Sequence, residues 1–235
     1  MKRHIPNIVT GLNLLTGSIA VAVAFQDVVL ASWLILIAAF LDFLDGFLAR
    51  LLNAYSEFGH QFDSLADIVS FGMAPSVLMY LLLQDSNPLP VLNFGDLNMV
   101  PFISMLLALF AGIRLTVFTL RKENKTFSGL PTPATAILMA SLTLMLKGHE
   151  AGGTFGQVMF NSWFLIGFII AISILMVIPI KMISLKKSIR QWFKAPEIII
   201  LLLGAMFLVI FLGYTGIALT ILLYVLISLV LNFRM

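Results

Sequence analysis

The sequence predicts an all-α, polytopic integral membrane protein of about eight transmembrane helices. Three observations carry that expectation. Apolar residues make up 60% of the chain and charged residues 11%, with a mean hydropathy of +1.06, outside the range of a soluble domain. Apolar runs of membrane-spanning length recur from one end to the other. Finally, the cationic residues collect between alternate runs, as they do when loops alternate between the two sides of a bilayer. The 235 residues leave room only for short loops, so 1–235 reads as a single membrane domain.

Taken in order, the first run, 8–25, follows a basic start and is superficially like a secretory signal. Asn13 and Thr16 interrupt it, no convincing cleavage site follows, and many similar runs come after it, so it reads as a span. The second run, 28–50, ends on Arg50; "LNAYSE" separates it from the third, 59–84. "QDSNPLPVLNFGD" precedes the fourth, 100–121, and "RKENKTFSGLP" the fifth, 131–146, whose entry is shaped by Pro131 and Pro133. The sixth, 157–180, follows "KGHEAGGTFG". Runs 197–212 and 214–232 follow "KMISLKKSIRQWFKAPE" and are parted only by "GYTG", which predicts a tight helical hairpin or one broken helix. The chain thus divides into a core of about 1–180 and two additional C-terminal helices. No Cys is present, which excludes a disulfide framework and a thiolate metal site.

Of fourteen Lys and Arg, Lys2, Arg3, Arg50, Arg121, Lys122, Lys125, Lys181, Lys186, Lys187, Arg190, Lys194 and Arg234 fall on the side of the N-terminus. Lys147 lies on the other side and Arg114 within a span. The asymmetry places both termini in the cytoplasm of a multi-pass protein of the cell membrane.

Against this background, "DFLDGFLARLLNAYSEFGHQFDSLAD" (42–67) concentrates four aspartates. The second helix runs inward to Arg50 and the third outward from Gly59. Asp42 and Asp67 therefore both sit about 12 Å above the cytoplasmic ends, and Asp45 and Asp63 at about 6–8 Å. Residues 42, 45, 46 and 49 share one helix face, as do 59, 63 and 67. Four carboxylates at that depth require compensation. Arg50 and Arg114 are the nearby cations, and the remaining deficit calls for protons or metal ions. All-oxygen ligation without Cys or clustered His points to Mg²⁺ or Mn²⁺, and four carboxylates suffice for two such ions. A two-metal site open to the cytoplasm suits phosphoryl chemistry. Gly46 and Ala49, on the same stripe, leave room for a phosphate-bearing ligand.

These residues match the signature D-x2-D-G-x2-A-R-x8-G-x3-D-x3-D at every fixed position, and the chain resembles the CDP-alcohol phosphotransferase family. "PNIVTGLNLLTG" (6–17) is similar to the family's amino-terminal element. "IVSFGMAPS" (68–76) and "FSGLPTPATA" (127–136) resemble its phosphatidylserine synthase branch; "IRLTVF" (113–118) matches an R-L-A-R-F-N element only in part. The resemblance covers about the first 140 residues.

It implies transfer of a phosphatidyl group from CDP-diacylglycerol to the hydroxyl of L-serine with release of CMP. On that basis Asp42, Asp45, Asp63 and Asp67 bind two divalent cations, and Asp67 also takes the proton of the attacking hydroxyl. Asn7, Thr10, Gly46, Ala49, Arg50, Ser56 and Gly59 contact the CDP-lipid. Arg50's planar fork suits a pyrophosphate oxygen pair; its alternative is an interfacial charge. Arg114 is the candidate for the serine carboxylate or for neutralising the aspartates, with Thr132, and also Ser128 and Thr135, near the same pocket. His60 stands near the aspartate stripe, so a phosphohistidine route is conceivable. The basic residues from Lys181 to Lys194, with Lys122 and Lys125, either set topology or attract anionic lipid.

The partners implied are the two substrates, the lipid bilayer and a second copy in a homodimer; nothing points to nucleic acid. Two alternatives stay open: a sister activity with glycerol 3-phosphate or inositol phosphate as acceptor, and a cation or proton-coupled transporter. All four aspartates lie toward one face with no counterpart after residue 120, unlike the midplane sites and repeated halves of transporters.

Overall fold

The computed structural model describes residues 4–120, 129–147, 158–180 and 196–233. The basic residues expected at 121–125 and 181–194, and Ser128, lie outside that set. Helix α1 (Ile5–Ala24) is followed by α2 (Val28–Leu51). Asp27 starts α2 by accepting on Oδ1 from the amides of Val29 and Leu30, each at 2.9 Å, which satisfies two otherwise orphaned donors. Asn53, at φ +50°, turns the chain. Ser56 then caps α3 (Glu57–Asp67), its Oγ accepting from the Gly59 amide at 3.0 Å.

Helix α3 does not stop at Asp67. It passes through a π-helical segment, Ile68–Met73, into α4 (Ala74–Gln84), forming one apolar rod of 28 residues. A short antiparallel hairpin follows, β1 (Asn93–Phe94) and β2 (Leu97–Asn98). A 3₁₀ turn, Val100–Met105, leads into α5 (Leu106–Leu120). The remaining helices are α6 (Thr132–Lys147), α7 (Ser162–Val177) and α8 (Pro196–Phe233).

Among the described residues five helices are long and apolar enough to cross a membrane: Ile5–Ala24, Val28–Leu51, Glu57–Gln84, Val100–Leu120 and Leu203–Val230. The fifth and sixth expected spans correspond to α6 and α7, apolar helices of 16 residues each. At about 1.5 Å per residue these fall short of a ~30 Å hydrocarbon core. Helix α8 is bent back on itself. Gly213 has φ 52° and ψ −125°, a conformation open only to glycine. A Cβ placed on Gly204 would lie 3.1 Å from Leu223 Cδ2, a contact a straight helix cannot make across that many turns. The two legs are therefore antiparallel, and Trp33 near the start of α2 packs edge-on against Tyr214 at the reversal, ring centroids 5.6 Å apart.

Helices α4 and α6 form the centre. Leu78, Met79, Leu82 and Leu83 on α4 and Leu138, Met139 and Ala140 on α6 are buried, and Leu165 and Ile169 of α7 join them. The outer helices carry the exposed apolar residues, among them Ile8, Phe40, Phe43 and Ile210. Most of the buried residues of α1 and α2 are small: Gly17, Ala20 and Ala24 on α1, and Ala31, Ser32 and Ala38 on α2. In lipid, where apolar contact brings little net gain, small residues let backbones approach and dispersion forces act. Gly17 shows the limit of that approach, since a Cβ there would stand 2.7 Å from the Ser70 Cα in the π-helical segment. At the end of the bundle away from the aspartates, Lys147 pairs with Asp85 at 2.7 Å and sits 5.2 Å from the Phe160 ring centroid.

Candidate active site

The aspartates reach one another because α2 and the α3 rod both pack on α1. Carboxylate oxygens of Asp42, Asp63 and Asp67 all lie within 4.8 Å of one another. Asp67 is buried, while Asp42 and Asp63 are partly exposed, so the cluster opens in one direction. Oδ1 of Asp67 is buried and accepts no hydrogen bond from the described residues. Several carboxylates so close together repel one another unless something cationic stands among them, and a hard divalent ion with oxygen ligands at 2.0–2.6 Å is a group these side chains fit.

Asp45 stands slightly apart. It is buried, and its Oδ2 accepts a hydrogen bond of 2.7 Å from Thr10 Oγ1 on α1. It remains within electrostatic reach of Asp63 and Asp67. Thr10, expected at the CDP-lipid, thus orients one of the four carboxylates. The π-helical segment begins directly after Asp67, and such insertions in α-helices gather at functional sites.

Most of the residues expected to touch the CDP-lipid gather about the turn between α2 and α3. Asn7 Oδ1 would be 2.8 Å from a Cβ on Gly59, and the Ser56 Oγ 3.0 Å, so Gly59 is glycine because α1 and the α3 cap close over it. Ser56 is occupied as the helix cap. Around Gly46 the space is open, the nearest atom to an added Cβ being Arg50 Nη1 at 3.8 Å. Ala49 is partly exposed and Arg50 exposed on the same face. His60 lies exposed on α3, apart from the cluster.

Within electrostatic reach of Asp67 stands Arg114 of α5. Its Nη1 donates to Thr132 Oγ1 at 3.3 Å, which joins the two residues expected at the acceptor pocket. Asp67 and Tyr224 are its charged or ionisable neighbours. Thr135 is buried one turn along α6 and turned back to the Pro131 carbonyl at 3.3 Å. Gly129, at φ +78°, and Leu130 bind the end of α7: their amides donate to the carbonyls of Ile180 at 2.9 Å and Leu175 at 3.0 Å. The "GLPTP" stretch is therefore a clasp that anchors the start of α6 and so the position of Thr132.

Sequence reasoning missed two residues. Tyr224 comes from the second leg of α8, in an aliphatic run with no motif to mark it. Asn13 is fully buried on the face of α1 that carries Thr10. Its signal was available: an amide in an apolar run, three residues after Thr10.

Comparison with known proteins agrees with this geometry. The description CDP-alcohol phosphatidyltransferase matches residues 3–166. The chain belongs to the CDP-alcohol phosphatidyltransferase family. Members of that family use divalent metals, and the acidic cluster on α2 and α3 fits one. A CDP-diacylglycerol–serine O-phosphatidyltransferase of Helicobacter pylori is 35% identical over 187 residues, covering 77% of this chain and 73% of its own. Proteins of the same name from Bacillus subtilis and Methanocaldococcus jannaschii are 34% and 31% identical. These cover 60% and 62% of this chain, and 75% and 63% of their own. The CDP-alcohol phosphatidyltransferase region ends before α8, so Tyr224, which lies within electrostatic reach of Arg114, comes from a part of the chain outside it.

Proposed function

We propose that this chain is a phosphatidylserine synthase: it transfers the phosphatidyl group of CDP-diacylglycerol to the hydroxyl of L-serine and releases CMP. The observation that carries the reading is the convergence of Asp42, Asp63 and Asp67 within 4.8 Å, flanked by Arg114 bonded to Thr132. The names of the relatives support serine as acceptor.

Asp42, Asp45, Asp63 and Asp67 would hold two divalent ions, Mg²⁺ or Mn²⁺. When bound, these supply Lewis-acid polarisation of the pyrophosphate and offset charge on the departing nucleotide. Gly46 and Ala49 leave space for the pyrophosphate, Arg50 pairs with its oxygens, and Asn7, Thr10, Ser56 and Gly59 close the rim over the cytidine end. Arg114 and Thr132 receive the serine carboxylate. Asp67, between the two sets, takes the hydroxyl proton as the serine oxygen forms its bond to the lipid-bearing phosphorus. The bond from that phosphorus to the bridging oxygen breaks, and CMP leaves with the electron pair.

The chain acts as one membrane domain, a core of about 1–180 with a C-terminal helical pair at 197–232. Eight crossings, counting the shorter apolar helices α6 and α7 among them, would put both termini and the site on the cytoplasmic side of the cell membrane. Twelve cations against one support that orientation. A homodimer is the assembly we propose.

The test is CMP release by the purified protein in detergent, with CDP-diacylglycerol and, separately, L-serine, glycerol 3-phosphate and inositol phosphate, each with and without EDTA. Release with serine alone, abolished by chelator and restored by Mg²⁺ or Mn²⁺, is expected. Equal release with a phosphorylated acceptor would overturn the choice of serine. Release indifferent to chelator would overturn the metal reading.

A further inference from the structure

Asn13 is the one side chain in the centre of α1 whose amide nitrogen and amide oxygen are both buried and both without a hydrogen-bond partner among the described residues. Since both atoms are unpartnered, exchanging their assignment changes nothing. A primary amide buried in this way is costly, and close packing of small residues around it would have been served as well by Leu. Its main-chain carbonyl is used, accepting from Ser70 Oγ at 3.1 Å, which holds this turn of α1 against the π-helical segment.

Its level in the bundle follows from contacts on either side. Thr10 is bonded to Asp45 across antiparallel α1 and α2; three residues further along α1 and three back along α2 bring Asn13 level with Asp42. On the parallel α3 rod, Asn7 meets Gly59 and Gly17 meets Ser70, which sets Asn13 beside the Ala66–Asp67 turn. Asp67 Oδ1 is itself buried and unpartnered. Helix α1 packs directly on α2, α3 and the π-helical segment, so Asn13 sits on a helix in contact with both of the helices that carry the aspartates.

We propose that Asn13 belongs to the dication site, its amide oxygen supplying a neutral, hard ligand on the deep side of the aspartate cluster. The inference rests on the metal reading given above. Four carboxylates already balance the charge of two dications, so a further ligand has to be neutral to keep that balance, and an amide oxygen coordinates without adding charge. The amide nitrogen on the same group is then free to donate to a neighbouring carboxylate oxygen and fix its orientation, the usual office of an outer partner.

The experiment is Mn²⁺ binding to the purified full chain in detergent, followed by the paramagnetic resonance of free Mn²⁺ and by the Mn²⁺-dependent rise in Tm. Wild type, Asn13→Leu, Asn13→Asp and Asp42→Asn are compared. Asn13→Leu is expected to weaken Mn²⁺ binding about 10–100-fold while its metal-free Tm stays level or rises. Asn13→Asp keeps an oxygen ligand and is expected to retain binding, with a lower metal-free Tm. A twofold or smaller change in Asn13→Leu, with wild type binding Mn²⁺ and Asp42→Asn not, would overturn the assignment of Asn13 and leave the metal reading standing. Absence of Mn²⁺ binding by wild type overturns both. If Asn13→Leu does not fold, Asn13→Asp decides: loss of its Mn²⁺ binding rejects the assignment, and retention supports it.

Discussion

Asp67 has the most demanding position of the four carboxylates. It is buried, it meets Asp42 and Asp63, and Arg114 lies within electrostatic reach of it. Asp67→Asn keeps the shape and removes the proton acceptor, so turnover should fall about 10²–10⁴-fold while CDP-lipid binding persists. Single-turnover CMP release alongside equilibrium binding of the lipid distinguishes the two. Undiminished turnover would remove Asp67 from the base role. Arg114→Gln should raise KM for serine by about 10–100-fold, the loss of a charged hydrogen-bonded contact, with a smaller change in kcat. Initial rates over a range of serine concentrations test this, and an unchanged KM would return Arg114 to neutralising the cluster. The residue types at the site could be read from their spacing, since carboxylates repeating at helical intervals share a face. Which carboxylate is bonded to Thr10 could not, because that depends on the rotation of α1 against α2. Nor could the second use of Ser56, whose hydroxyl caps α3.

At the level of elements, helix crossings are set by where backbones can touch. Gly17 allows α1 to lie on the π-helical segment, and a methyl there would collide with Ser70. Around Gly112, on the outer face of α5, an added Cβ would meet nothing within 4 Å. Gly17→Ala should therefore destabilise by about 1–3 kcal/mol, a drop of roughly 2–12 °C in Tm, whereas Gly112→Ala should be neutral or slightly stabilising. Thermal unfolding in detergent, read by loss of tertiary fluorescence, checks the pair; equal effects would show that α1 is not held by that contact. Apolar run lengths located the helices to within a few residues. The π-helical insertion could not be read from them, because one extra residue in a turn leaves the hydropathy of the run unchanged. The reversal within α8 was legible as "GYTG", but only the contact between its legs chose the hairpin over a broken rod.

Among the described residues, Arg50 closes α2 at the end next to the α3 cap, and the Lys147–Asp85 pair stands at the other end of the bundle. Because the chain has no Cys, single cysteines can report its orientation without background. Phe94, 80% exposed in the β1–β2 turn, and Tyr55, 71% exposed beside the α3 cap, lie toward opposite ends. In intact cells Phe94→Cys should react with a membrane-impermeant maleimide, and Tyr55→Cys only after permeabilisation. The reverse pattern would turn the site away from the cytoplasm.

By itself the sequence determined the membrane class, the order of the apolar runs and the residue types gathered in the candidate site. Each follows from quantities local to the chain: hydrophobic length, helical period and the spacing of eight signature residues. The tertiary structure alone decided which aspartates converge, that Arg114 meets Thr132, that Asn13 is sealed level with Asp42, and that Tyr224 reaches Arg114 from beyond the family region. These are relations between helices distant in the chain, and they depend on crossing and rotation fixed by small residues and π-helical turns, which no periodicity along one strand of sequence encodes.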